Sequence, residues 1–123
     1  MIPVMQTEFG EKGNCFSACL ASLFDLHIEE VPNFFLTHGS NATDWWNGVR
    51  QWLKIKRYGL ITLELNQFLL EELKGYYIVS GQSPRELQHS TIWRNGTMVH
   101  DPHPDKTGLL KCEYVDLIYP LFD

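Results

Sequence analysis

The chain has 123 residues, of which 44% are hydrophobic and 13% aromatic, and its formal net charge is −5 with the histidines neutral. This length and apolar share predict one domain over residues 1–123, and they exclude an intrinsically disordered chain. Because the charge balance is acidic and no basic cluster occurs, nucleic acid is not expected as a partner.

The sequence shows no membrane or export segment. No apolar run approaches the roughly 18 residues that a membrane-spanning helix needs, and the opening MIPVMQTEFGEKG lacks the basic and apolar parts of a secretory signal. Three cysteines, an odd number, indicate free thiols rather than a disulfide framework. We therefore expect a soluble, cytoplasmic protein with no membrane partner.

Two helices are predicted in the first half of the chain. The first follows Asn14, whose side chain is expected to cap it, and its apolar residues recur at helical spacing: Cys15, Phe16, Cys19, Leu20, Leu23 and Phe24. Asp25 and Pro32 mark its end, with a short helical turn at 28–31. The second helix is expected at about 43–55, with three tryptophans on its apolar side: Trp45, Trp46 and Trp52.

Strands are predicted in the second half. Alternating or β-rich segments occur at 60–65, 76–79, 90–93, 98–100 and 112–119, with a short helix at 67–73 and a loop at 80–84. Helices that precede strands are typical of the α+β class. We expect an antiparallel sheet packed against the N-terminal helix.

Cys15 begins the first predicted helix, directly after Gly13 and Asn14. Unpaired amides and the helix dipole at that position favour the negative charge of a thiolate. The same amides can hold the oxyanion of a tetrahedral intermediate. Cys15 is therefore the candidate nucleophile, whereas Cys19, one turn later, is expected to be a small buried residue.

The segment HSTIWRNGTMVHD is predicted to form a hairpin that brings a base and a carboxylate together. A three-residue turn at 94–96 would pair His89 directly with Asp101, at a Cβ distance of about 4.5–5.5 Å. A two-residue turn at Asn95 and Gly96 would instead place Asp101 opposite Ser90. In the first register Asp101 could orient His89, as the third member of a catalytic triad does.

These residues and their order resemble the papain-like cysteine peptidases, in particular the bacteriocin-processing (double-glycine) peptidases and their small relatives. The resemblance rests on Gln6 and on the segments GNCFSACLASL, QHSTIW and HDPHP. It implies a minimal papain-like core in which Cys15 attacks a carbonyl carbon, His89 is the general base and Asp101 orients His89. It also implies that Gln6 and the Cys15 amide form the oxyanion hole, without a cofactor.

Other interpretations remain open at this point. Cys15, Cys19, His100 and His103 could supply four zinc ligands. Trp45 and Trp46 could line a groove for substrate, and the small Gly81 could let substrate backbone approach. The expected substrate is a peptide, a protein or a small amide. The chain could also be an acyl transferase with the same residues, or a binding module that captures a protein or peptide without catalysis.

Overall fold

Helices packed on a five-stranded antiparallel sheet form the structure, which confirms the predicted α+β class. The computed structural model describes residues 1–121, apart from the side chain of Gln67. The elements are α1 (Cys15–Phe24), a short 3₁₀ helix (Ile28–Glu30), α2 (Phe34–His38), α3 (Ala42–Ile55), β1 (Tyr58–Glu64), α4 (Gln67–Glu72), β2 (Tyr76–Gln82), β3 (Gln88–Arg94), β4 (Thr97–His100) and β5 (Lys111–Pro120).

The strand order is β1-β5-β2-β3-β4, so the last strand of the chain lies between β1 and β2. Successive residues of a strand point to opposite faces, and the sheet accordingly has two apolar faces. Ile78 and Ile92 lie in the core shared with α1 and α3, whereas Tyr77 and Val79 pack with the leucines around α4. Within residues 1–121, no helix has both the length and the apolar composition to cross a bilayer.

The predicted N-terminal helix is confirmed, and α1 lies against β3. All residues from Phe16 to Ser22 are buried, so α1 is covered on several sides and not only on the side that contacts the sheet. The helix ends at Asp25, which adopts the left-handed conformation with φ 55°. The sequence analysis did not predict α2, a five-residue helix that Asn33 caps by accepting the Phe35 amide.

The loop predicted at 80–84 is wrong for residues 80–82, since β2 continues through Gln82, and the connection to β3 begins at Ser83. Gly81 lies in this strand opposite His89, at an irregularity in the pairing of β2 with β5. A Cβ atom at Gly81 would lie 1.8 Å from the backbone oxygen of Lys111. The glycine is therefore required by the close approach of the neighbouring strand.

The hairpin of β3 and β4 does not have the predicted register, in which His89 pairs directly with Asp101. The turn has two residues, Asn95 and Gly96, both with positive φ. A bulge then adds one residue to β4, so that Ile92 pairs with His100. The next pair in this register is Thr91 with Asp101. Thr91 and His89 are two residues apart on β3, so their side chains point to the same face of the sheet, and Asp101 lies on that face.

Candidate active site

Cys15 is the first residue of α1 and is half-buried. The first amides of an α-helix have no acceptor within the helix, and here the Asn14 side chain does not accept from them either. The predicted capping role of the Asn14 side chain is therefore wrong. Because this side chain is engaged elsewhere, it leaves the amides of the first turn available to a group beside the Cys15 sulfur.

The Asn14 side chain holds the loop that precedes α1. Its Oδ1 accepts the amides of Thr7 and Glu8, each at 2.9 Å, and its Nδ2 donates to the Thr7 hydroxyl at 2.9 Å. The backbone N–H of Gln6 donates to the backbone oxygen of Pro102 at 3.0 Å. These bonds tie the N-terminal segment both to the start of α1 and to the residue that follows Asp101.

Gln6 lies beside Cys15 and His89, and the three residues line one small hollow. The Gln6 side chain is buried, and its Nε2 donates to the backbone oxygen of Glu8 at 3.0 Å. Its Oε1 is buried without a hydrogen-bond partner among residues 1–121. Nε2 carries a second N–H besides the one that it donates to Glu8, so the Gln6 side chain has one further hydrogen-bond donor.

Asp101 and His89 form a buried pair, with 2.6 Å between Oδ1 of the carboxylate and Nε2 of the ring. The same Oδ1 accepts the amide of His103 at 2.9 Å, and Oδ2 accepts the amide of Gly108 at 2.8 Å. Burial by itself would raise the pKa of Asp101, but these hydrogen bonds lower it to about 2. The carboxylate is therefore fixed in place and ionised.

The His89 ring is hydrogen-bonded to Asp101 and lines the same cleft as Cys15. Burial alone would lower the pKa of His89, but the hydrogen bonds with Asp101 and Cys15 outweigh it and raise the pKa to about 9. Because Nε2 donates to Asp101, the neutral ring keeps its free lone pair on Nδ1. Nδ1 of His89 can thus accept a proton when the ring is neutral and donate one when the ring is protonated.

Cys15 and His89 line a cleft with a volume of about 930 Å³. This volume lies within the range of roughly 300–1,000 Å³ that is typical of ligand sites. Trp45 and Trp46 line the cleft as predicted. Their rings pack edge to face, with 4.7 Å between the ring centroids. Gly81 does not line the cleft, because it is buried within the sheet, so the geometry gives it no contact with a bound substrate.

The sequence analysis missed the polar floor of this cleft, which includes Asp116, Thr62, Ser80 and Ser90. Asp116 lies in β5, an interior strand of the sheet, and accepts the Thr62 hydroxyl at 2.5 Å. Burial raises the pKa of Asp116 to about 6, although the bond with Thr62 and the charge of Arg50 oppose this rise. The available signal was a carboxylate at the centre of the otherwise apolar strand segment VDLI.

The zinc alternative does not match the geometry. His100 is buried with its Nε2 2.7 Å from the backbone oxygen of Val4, and Cys19 is fully buried. Burial, with the nearby charges of Cys15 and Asp101, raises the pKa of the Cys19 thiol well above its usual value. Within the described range 1–121, no three His, Cys, Asp or Glu residues are grouped in a way that could hold a metal ion.

Comparison of the chain with models of protein families, with curated proteins and with solved structures found no match.

Proposed function

We propose that the protein is a papain-like thiol hydrolase that cleaves an amide, peptide or isopeptide bond through Cys15, His89 and Asp101. The observation that carries the proposal is the His89 ring, which is hydrogen-bonded to a buried carboxylate and lines the same cleft as Cys15, the first residue of α1. A nucleophile, a base and a group that orients the base are the components of covalent acyl transfer. Cys15 and His89 line a cleft large enough for a ligand, and Asp101 is hydrogen-bonded to His89.

In the first half-reaction the Cys15 thiolate attacks the carbonyl carbon, and the carbonyl π electrons move to oxygen. The Cys15 amide and the second N–H of Gln6 are the donors for this oxyanion. When the C–N bond breaks, the His89 imidazolium gives its proton to the leaving amine, and a thioester with Cys15 remains.

In the second half-reaction water attacks the thioester carbonyl and gives its proton to His89. Collapse of the intermediate breaks the C–S bond, releases the acid and restores the thiolate. Asp101 holds the ring in the tautomer that both steps require and stabilises the imidazolium. An amine in place of water would give a transferase with the same residues.

The test is acylation of the protein by p-nitrophenyl acetate, followed by intact-mass and peptide mass spectrometry. We expect one acetyl group on Cys15 that is lost in buffer, and its loss should be slower in His89→Ala. Cys112→Ala is the matched control, because it removes a half-buried thiol outside the site and should acetylate as the wild type does.

Other results would assign the alternatives. Loss of the acetyl group only after an amine is added would indicate a transferase. A Cys15 that acetylates no faster than Cys112 would contradict the proposal and favour a binding module.

A further inference from the structure

Asp116 is a buried carboxylate with too few partners. Its exposed fraction is 2%, and within residues 1–121 only its Oδ1 has a hydrogen-bond donor, the Thr62 hydroxyl. The guanidinium of Arg50 acts on it by charge but donates to the backbone oxygen of Leu60, at 2.8 Å. A buried carboxylate needs hydrogen bonds or a cation to offset its desolvation. The raised pKa of Asp116 reflects this deficit.

The strand register places Asp116 in a polar area that faces the cleft. Ser80 on β2 pairs with Ser90 on β3 and with Tyr114 on β5, and the two serine hydroxyls lie 2.8 Å apart. Tyr114 and Asp116 are two positions apart on β5, so their side chains share one face of the sheet. All of these side chains line the cleft that contains Cys15.

The opposite wall of the cleft is aromatic and includes the rings of Phe16, Phe35, Trp45 and Trp46. The faces of aromatic rings attract cations and disfavour anions. In the described part of the chain the charged residues that line the cleft are Glu11, Asp116, Arg50 and His89, two acids and two bases, so a preference for a cation rests on the rings and on Asp116 and not on the net charge of the cleft. Rings on one side and a carboxylate on the other favour a bound cation over a bound anion.

We propose that Asp116 determines specificity by receiving an ammonium or guanidinium group of the substrate whose scissile carbonyl lies at Cys15. This inference rests on the proposed function for the fate of the substrate, but the cation site itself does not require catalysis. The cation would supply the donors that Oδ2 lacks and would lie against the rings of Trp45 and Trp46. Such a group can belong to a lysine or arginine side chain of a peptide, or to a small polyamine.

The test measures binding to the Cys15→Ala protein, so that its result is separate from the acylation experiment. The probes are acetylated pentapeptide amides with one lysine among alanines at the second, third or fourth position, the same peptides with norleucine, and spermidine. Intrinsic tryptophan fluorescence and titration calorimetry report binding. We expect at least one lysine peptide, or spermidine, to bind about tenfold more tightly than the norleucine peptides.

Asp116→Asn in the same background keeps the oxygen that accepts from Thr62, removes the charge and replaces the other oxygen with an NH2 group. We expect it to abolish the preference for the charged probe, whereas Glu29→Gln, which removes an exposed charge outside the cleft, should keep it. A preference for the lysine peptides alone identifies a peptide substrate, and a preference for spermidine alone identifies a polyamine. Equal affinity for charged and norleucine probes, or an unchanged preference in Asp116→Asn, would overturn the inference.

Discussion

Nε2 of His89 lies 2.6 Å from Oδ1 of Asp101, although the two residues do not pair directly across their strands. The β4 bulge brings Asp101 to the strand face of His89, and the amides of His103 and Gly108 then fix the carboxylate. An orienting carboxylate held by backbone donors keeps its position while the ring exchanges protons. This arrangement fixes the Nε2 side of the His89 ring.

The buried pair makes the stability of the protein depend on pH. The folded-state pKa of His89 is about 9 against 6.5 unfolded, so its contribution is complete below 6.5 and is lost as the pH rises through 9. The folded-state pKa of Asp101 is about 2 against 3.8, so its contribution is complete above 3.8 and is lost as the pH falls towards 2. The pair therefore stabilises the fold most between these limits.

Urea unfolding of the wild type and of Asp101→Asn, at about pH 5 and about pH 9.5, measures this effect. We expect the difference in the free energy of unfolding between the two proteins to shrink by on the order of 1–3 kcal/mol at the higher pH. A difference that is the same at both pH values would show that the ion pair is not what Asp101 contributes.

Asn14 is expected to stabilise the loop that carries Gln6. Asn14→Ala would leave the amides of Thr7 and Glu8 without their acceptor and should lower the free energy of unfolding by roughly 2–4 kcal/mol. It should also slow acetylation of Cys15, because Gln6 is no longer held beside the sulfur. Amide hydrogen exchange at Thr7 and Glu8 and denaturant unfolding are the measurements.

The matched control is Asn14→Asp, which keeps the oxygen acceptor and loses only the donor to the Thr7 hydroxyl. It should lose clearly less stability than Asn14→Ala. If the two variants are equally stable, the Asn14 side chain does not hold the loop.

The sequence predicted the elements of this fold better than the contacts between them. The apolar spacing of α1 and α3 and the β-rich segments of the sheet are local patterns, and these predictions are confirmed. The five-residue α2 has too few turns to show a period, and Gly81 looked like a loop residue because its close neighbour, Lys111, is 30 positions away in the chain. Tertiary contacts decide such positions.

For the candidate site, the sequence correctly predicted that His89 and Asp101 lie close together, but the turn geometry on which this prediction rested is wrong. The proximity of His89 and Asp101 was predicted from a three-residue turn, whereas the structure has a two-residue turn and a bulge. Val99, the extra residue of β4, has no local signature of a bulge. Asp116 was missed because the strand that carries it lies between β1 and β2, and that strand order depends on long-range pairing.

Asp116→Asn should stabilise the protein in a pH-dependent way. The folded-state pKa of Asp116 is about 6 against 3.8, so the ionised carboxylate destabilises the fold as the pH rises through this range. The amide of asparagine carries no charge and can still accept from Thr62. We expect the free energy of unfolding at about pH 8 to rise by roughly 1–3 kcal/mol, with little change near pH 4. Equal destabilisation at both pH values would contradict this account of the charge.

The central claim is that His89, oriented by Asp101, activates the sulfur of Cys15. The most direct measurement is the rate of iodoacetamide alkylation of each cysteine as a function of pH, followed by peptide mass spectrometry. At about pH 6 we expect Cys15 to react at least tenfold faster than Cys112, the pKa of which burial raises, and we expect His89→Ala to remove most of that advantage. Equal rates for Cys15 and Cys112, or a Cys15 rate unaffected by His89→Ala, would contradict the claim.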